Sequence, residues 1–219
     1  MVAGDLFAVT EVLQLIGVFV SLSIAYVASK GLRQTQSPAL LRLTTAFLFL
    51  GFGFVIQTIV GLDGVIPILP ALTTTMVASL AVAGTLMETA GYFFLAFSHA
   101  LDVILSKRFG TALLVFPIIS LSITQTTDTL SILSFYFILY GIVETLAAYS
   151  RNKRPDTLLI ATGLALLGVS AFMPWLLQMY PEVYLLSLIQ IIIKEIGLMI
   201  LFIPVLNYAL GGAKLGGPV

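Results

Sequence analysis

The stretch QIIIKEIGLM, residues 190 to 199, places a lysine and a glutamate side by side within a long apolar run, about 183–210. A helix needs about 20 apolar residues to cross the hydrocarbon core of a bilayer, and this run is long enough. A charged side chain at the bilayer centre costs about 2.5–3.5 kcal/mol on insertion scales. We therefore expect Lys194 and Glu195 to face partners inside a helix bundle rather than lipid.

The rest of the chain has the same apolar character. Of its 219 residues, 59% are hydrophobic and 9% are charged, and the mean hydropathy is +1.12. Soluble domains have about 25% charged residues. The composition therefore predicts a multi-pass protein of the cell membrane whose first partner is the lipid bilayer. The formal net charge is +0, which argues against a nucleic-acid partner.

Several kinds of chemistry are disfavoured by composition. The chain has no cysteine and a single histidine, His99, so disulfides, thiolate metal ligands, cysteine nucleophiles and a bis-histidine haem within the chain are excluded. No paired-aspartate, metal-binding or serine–histidine pattern stands out. We therefore predict neither an enzyme nor a bound metal or cofactor.

Seven apolar segments are predicted to cross the membrane, and the fourth is short and contains Pro117. They are about 10–30, 39–61, 72–105, 109–124, 130–150, 157–179 and 183–210. Every basic residue except Lys194 then falls on one side of the membrane. The positive-inside rule places the N-terminus outside and the C-terminus inside. The predicted fold is one all-α transmembrane domain, 1–219, of seven helices.

Two segments of the sequence resemble each other. SPALLRLTTAFLFLGFGF (37–54) aligns with RPDTLLIATGLALLGVSA (154–171), and the helix after each carries a central glutamate, Glu88 or Glu195. This pattern favours a duplication of segments 1–3 (about 10–105) as segments 5–7 (about 130–210), with the fourth segment as a linker. An odd linker gives both copies the same orientation, a 3+1+3 parallel repeat. Chance similarity between two helices rich in leucine and glycine is the alternative.

This topology is similar to that of the SWEET sugar transporters and of the microbial rhodopsins. The composition and the glycine-rich second segment resemble small uncharacterised seven-helix membrane proteins of archaea. The proline–glutamine signature of the SWEET relatives is absent. The rhodopsin resemblance implies retinal on Lys194 with Glu88 as counter-ion. Since the tryptophan and threonine surroundings of that family are missing from the third segment, and its aromatic cage from the sixth apart from Trp175, we disfavour retinal.

Polar residues spaced three, four or seven apart share one helix face and form stripes on several segments. The predicted intramembrane polar cluster comprises Glu88, Tyr92, His99 and Asp102 on the third segment, Tyr140 and Glu144 on the fifth, and Gln190, Lys194 and Glu195 on the seventh. A weaker stripe on the first segment runs through Glu11, Gln14, Ser21 and Ser29. We predict that Lys194 meets Glu88, with Glu144 or Glu195 as the next candidates.

Each of these groups has a purely structural interpretation as well. A buried lysine–glutamate pair can simply fix helix register. His99 and Asp102 lie near the predicted inner interface and would meet headgroups there, and Tyr140 would be ordinary packing. The polar interior favours proton-coupled transport of a small solute. The alternatives are an accessory subunit of a larger membrane complex and a seven-helix receptor or sensor. Other membrane subunits, or a second copy of the chain, remain open as partners.

Overall fold

The computed structural model describes residues 3–63, 74–96, 123–179 and 184–215, and this part of the chain is helical apart from two short turns. The described helices are α1 (Ala3–Thr35), α2 (Pro38–Asp63), α3 (Thr74–Ala96), α4 (Ile123–Asn152), α5 (Pro155–Met179) and α6 (Tyr184–Leu215). Each contains a segment long and apolar enough to cross a membrane. The predicted all-α membrane class is confirmed for these residues.

The predicted fourth segment, 109–124, lies outside the described residues except for its last two, which begin α4. The fifth segment was predicted to start near 130, but α4 starts at Ile123. The added residues are the largely polar run ITQTTDT, 123–129, which makes about two helical turns. Hydropathy marks where a helix is apolar, whereas the helix itself continues as long as its internal backbone hydrogen bonds do.

Two turns with the same geometry join α1 to α2 and α4 to α5. Gln36 and Lys153 have positive φ angles, 52° and 47°. The Gln36 amide donates to the Leu32 carbonyl at 2.7 Å, and the Lys153 amide donates to the Tyr149 carbonyl at 2.7 Å. This is a left-handed C-terminal cap that satisfies one of the helix's free carbonyls. A proline two residues later begins the next helix in both cases, a position where its missing N–H costs nothing.

The described helices form a closed ring in which each contacts its neighbours in sequence and α6 returns to α1. Helices α3 and α4 are parallel, because Thr89 meets Ser134, Phe93 meets Phe137 and Ala96 meets Gly141. The contacts of the remaining sequence neighbours run in opposite directions. Helices α1, α3, α4 and α6 therefore point one way, and α2 and α5 point the other.

The two ends of the ring differ in charge. Both described turns lie at the end where α1 and α4 finish, and six basic residues cluster in or beside them. These are Lys30, Arg33, Arg42, Arg151, Lys153 and Arg154. We call this the basic end. The opposite end, where α1, α3, α4 and α6 begin, is called the cavity end because an internal cavity is lined there by Thr127 and Asp128. Lys194 lies in the interior between them.

The bundle exposes large apolar side chains on its outer surface and buries charged and polar groups within an otherwise apolar core. Large apolar side chains such as Phe19, Tyr26 and Val143 are exposed on its outer surface. Among the described residues, ten polar or charged ones are buried, including Glu11, Lys194 and Glu195. In water this distribution would be unfavourable, whereas lipid solvates apolar side chains and excludes unpaired charges.

Glycines bring two pairs of helices into close contact. A Cβ on Gly91 of α3 would lie 2.9 Å from the Ala46 carbonyl oxygen and 2.6 Å from Leu50 Cγ of α2. A Cβ on Gly197 of α6 would lie 3.1 Å from the Gly163 carbonyl oxygen of α5. Packing of this kind replaces the hydrophobic effect as the force that holds helices together in lipid.

Replacing Gly91 with alanine should therefore destabilise the bundle by about 1–3 kcal/mol, because the added methyl meets a backbone carbonyl that cannot move aside. Gly168→Ala is the matched control, since its Cβ meets only Ile138 and Ile142 side chains at 3.4 Å. The control should be neutral or slightly stabilising, because alanine favours the helix over glycine by about 1 kcal/mol. Unfolding in detergent micelles measures both, and equal effects would contradict the close-packing account.

Candidate functional site

A buried ion pair joins α3 to α6 in the interior of the bundle. Lys194 Nζ donates to Glu88 Oε1 at 2.8 Å. The two side chains are 8% and 13% exposed, so the pair is largely shielded. The predicted contact between Lys194 and Glu88 is confirmed. Each charge offsets the cost of burying the other, which lipid could not do.

Glu88 is held by donors from three helices. Gln57 Nε2 of α2 donates to Glu88 Oε2 at 2.8 Å, and the Tyr92 hydroxyl of α3 donates to Oε1 at 2.9 Å. Gln14 Nε2 of α1 donates in turn to Gln57 Oε1 at 3.1 Å. A hydrogen-bonded chain therefore runs from α1 through α2 and α3 to Lys194 on α6. Both carboxylate oxygens have charge-assisted partners, which fixes the rotamer of Glu88.

The ammonium group of Lys194 has a second neighbour. Its Nζ lies 4.3 Å from the centroid of the Phe54 ring on α2, a cation–π contact. An ammonium group has three N–H donors. Glu88 accepts one of them and the Phe54 ring faces the group, so Lys194 retains donor capacity toward the cavity that it lines.

A polar cavity of about 240 Å³ lies beside the ion pair, between α2, α3, α4, α5 and α6. Its walls carry hydroxyl, amide and charged groups. The lining residues are Gln57, Thr85, Glu88, Tyr92, Thr127, Asp128, Ser131, Ser134, Ser170, Ala171, Pro174, Gln190 and Lys194. Because both signs of charge and several hydroxyls converge, the cavity is suited to a small polar molecule or a group of waters.

The cavity extends from the ion pair toward the cavity end of the bundle. Thr127 and Asp128 lie in the second turn of α4, which begins at that end. Ser134, almost two turns further along α4, meets Thr89 of α3 at 2.9 Å, next to Glu88. Since a helix rises about 1.5 Å per residue, the lining spans about 9 Å along the membrane normal between Asp128 and the level of the ion pair.

Pro174 interrupts the backbone hydrogen bonding of α5 beside the cavity. It lies inside α5, where proline has no N–H to donate to the carbonyl of Ser170, four residues earlier. Both residues line the cavity. The Ser170 carbonyl therefore lacks the helical N–H donor that proline cannot supply.

The other predicted site residues divide into three groups. Gln190 lines the cavity with Lys194. The Tyr140 hydroxyl donates to Glu144 Oε1 at 3.1 Å, and neither residue belongs to the cavity lining described above. His99 and Asp102 lie outside the described residues.

Glu195 faces a different neighbour from Lys194. Its carboxylate lies against Gly17 of α1, with Cδ 2.8 Å from the position that a Cβ on Gly17 would take. Adjacent residues on a helix point about 100° apart, and this divergence separates the two side chains. The predicted separation of their partners is confirmed.

Sequence reasoning missed Gln57 and the hydroxyls of α4. Gln57 is the one strongly polar side chain in FGFVIQTIVG, 52–61, and that isolation was a usable signal. Thr127, Ser131 and Ser134 repeat at helical spacing, but serine and threonine are common in membrane helices because they bond to their own backbone. Only the neighbouring helices show that these hydroxyls face a cavity.

By length and composition, the six described helices define a polytopic helical membrane protein with a polar interior site. Among the described residues, no group of three or more histidine, aspartate or glutamate side chains could hold a metal ion. No family model, curated protein or solved structure matches the chain.

Proposed function

We propose that the chain crosses the cell membrane seven times, with its N-terminus outside. The parallel direction of α3 and α4 supports this number, because the chain leaves α3 at the basic end and enters α4 at the cavity end. Residues 97–122 would make the additional crossing. The basic residues at one end support the orientation through the positive-inside rule.

The bundle would consist of two parallel copies, α1–α3 and α4–α6. Equivalent contacts support this duplication. Gln36 and Lys153 form the same turn, and Gly91 packs on Ala46 and Leu50 of α2 as Gly197 packs on Gly163 and Leu167 of α5. This register pairs Glu88 with Lys194, one position before Glu195, which the sequence comparison had paired with it. The ion pair would then join equivalent positions of the two copies.

The site would carry a small polar solute across the membrane by proton-coupled transport. The observation that carries this proposal is the polar cavity that reaches the Glu88–Lys194 pair from one end of the bundle. Transporters built from two repeats bind their substrates near the midplane, at the repeat interface. An ion pair between the copies is a contact that a solute could break and remake during transport.

The asymmetry of the copies explains why the cavity is where it is. In the register above, Gln14, Phe54 and Gln57 of the first copy correspond to Ser131, Ala171 and Pro174 of the second. Phe54 and Gln57 contact the ion pair directly, and Gln14 is bonded to Gln57. The three smaller ones line the cavity, together with Gln57. The second copy would therefore form most of the solute chamber, to which the first copy would contribute Gln57, Thr85, Glu88 and Tyr92.

Counterflow in proteoliposomes tests the proposal. Radiolabelled alanine, lactate and xylose represent a zwitterion, an anion and a neutral sugar that are small enough for a cavity of about 240 Å³. We expect alanine to exchange fastest, because the Glu88–Lys194 pair in the cavity wall offers one charge of each sign. Ala171→Phe should lower this exchange at least tenfold by filling the chamber. Val169→Phe, on the exposed face of the same helix, should leave it unchanged.

Exchange of none of the three solutes above the level of empty vesicles would contradict the proposal and favour the accessory-subunit alternative. Exchange that Ala171→Phe leaves intact would place the solute path elsewhere in the bundle.

A further inference from the structure

A second set of buried polar groups lies on the α1 side of the bundle, away from the cavity lining. Four buried side-chain oxygens have no hydrogen-bond partner among the described residues: Glu11 Oε2, Ser21 Oγ, Thr58 Oγ1 and Glu195 Oε2. Their residues are between 0% and 6% exposed. A buried polar atom without a partner costs about 1–3 kcal/mol, so four of them on one side require an explanation.

These oxygens belong to two pairs of neighbouring groups, each with one carboxyl and one hydroxyl. At the first, the Glu11 carboxylate lies against Gly61 of α2, and Thr58 is one turn away on the same face of α2. At the second, the Glu195 carboxylate lies against Gly17 of α1, and Ser21 is one turn further along α1. The glycines provide the space in which each carboxyl group lies.

Both pairs lie beside α1, at different depths in the bundle. Glu11 and Ser21 are ten residues apart on α1, which corresponds to about 15 Å along the membrane normal. Gln14, between them, donates to Gln57 and so connects this side of the bundle to Glu88. We call Glu11, Gln14, Ser21, Thr58 and Glu195 the α1 file.

From this arrangement we propose that the α1 file is a proton path and that Glu195 is its proton-binding residue. The inference rests on the transport function proposed above and adds the route of the coupling proton, separate from the solute chamber. Each transfer breaks one O–H bond and forms another, between carboxyl groups, hydroxyls and waters, and waters would carry the proton past Gln14, whose amide is bonded to Gln57. No co-reactant is needed beyond the protons of the two aqueous phases.

The charges around Glu195 connect the proton to the solute site. The charged and titratable groups that interact with it electrostatically are Lys194 beside it on α6 and Glu88 and Tyr92 on α3. Glu11 is the acidic group further along α1 in the same file. Release of the proton from Glu195 places a second negative charge near Lys194, which then divides its attraction between two carboxylates. The Glu88–Lys194 contact weakens, and the cavity can change shape.

Infrared difference spectroscopy of the purified protein in lipid tests the proposal without a solute. The carbonyl stretch of protonated carboxylic acids is recorded across the pH range in which the protein stays folded. We expect a pH-dependent component that Glu195→Gln abolishes. Glu144→Gln is the matched control, because that carboxyl group is bonded to Tyr140, and it should leave the component unchanged.

A second variant keeps the test informative if Glu195→Gln does not fold. Gly17→Ala retains the carboxyl group but places a methyl where that group now lies, so it should shift the frequency of the same component. A pH-dependent component unaltered by both changes would overturn the proposal. That result would leave the alanine counterflow experiment untouched, so the two proposals can fail separately.

Discussion

Lys194→Met should destabilise the protein by about 3–5 kcal/mol, because it leaves Glu88 as a buried charge without its cation. Glu88→Gln should cost a similar amount, since Lys194 then lacks the carboxylate that lies 2.8 Å away. The double change Lys194→Met and Glu88→Gln should recover most of the loss, because both charges are removed together. Reversible unfolding in mixed micelles measures all three variants.

The Tyr140–Glu144 hydrogen bond provides the control for this cycle. It joins two partly buried residues within α4, so Glu144→Gln should cost less than about 1 kcal/mol. Additive effects of the two single changes would show that Lys194 and Glu88 do not stabilise each other. Recovery of stability together with loss of alanine counterflow would show that the pair serves transport as well as folding.

Thr85→Cys should react with a membrane-impermeant charged thiol reagent at least tenfold faster than Leu86→Cys. Exposure in the bundle without lipid would suggest the opposite order of reaction rates, because Leu86 is 55% exposed and Thr85 is partly buried. Thr85 lines the polar cavity, whereas Leu86, at the same depth on α3, would face lipid, which excludes a charged reagent. The chain has no native cysteine, so each variant carries one reactive thiol.

The side of reaction adds a test of orientation. In sealed right-side-out vesicles, Thr85→Cys should react from outside, because the cavity extends toward the end opposite the basic cluster. Reaction from inside alone would reverse the proposed orientation. Faster labelling of Leu86→Cys would mean that the exposed face of α3 meets water, which is incompatible with a membrane-facing surface.

Part of the site could be predicted from helical spacing and charge. Lys194 is the one basic residue far from the predicted membrane surfaces, and Glu88 is the acidic residue whose depth matches it, so their contact followed from the cost of an unpaired charge in lipid. Gln57 and the serines of α4 could not be assigned in this way. A hydroxyl or amide can satisfy itself locally, so its presence in a helix does not indicate which neighbour it faces.

The proposed repeat illustrates the same limit. Sequence similarity aligned Pro38 with Pro155 and Gly51 with Gly168, and that register agrees with the matching turns at Gln36 and Lys153. In the third helix of each proposed copy, the sequence comparison aligned Glu88 with Glu195. The packing of Gly91 and Gly197 instead aligns Glu88 with Lys194. Under the proposed duplication, side-chain chemistry has diverged between the copies, while close backbone contacts have kept the register because a Cβ cannot be added there without displacing a helix.

The sequence by itself determined the membrane class, most of the helices and the necessity of a partner for Lys194. These properties depend on composition and on the one-dimensional spacing of charges, which any bundle of these helices must satisfy. The tertiary structure decided the ring order, the parallel contact of α3 with α4 and the position of the cavity. It also placed Glu195 against Gly17, away from the ion pair beside it in sequence. Those features depend on which helix packs against which. The apolar surfaces of helices in lipid do not specify their neighbours, because helix packing is determined by contacts between small residues and between buried polar groups.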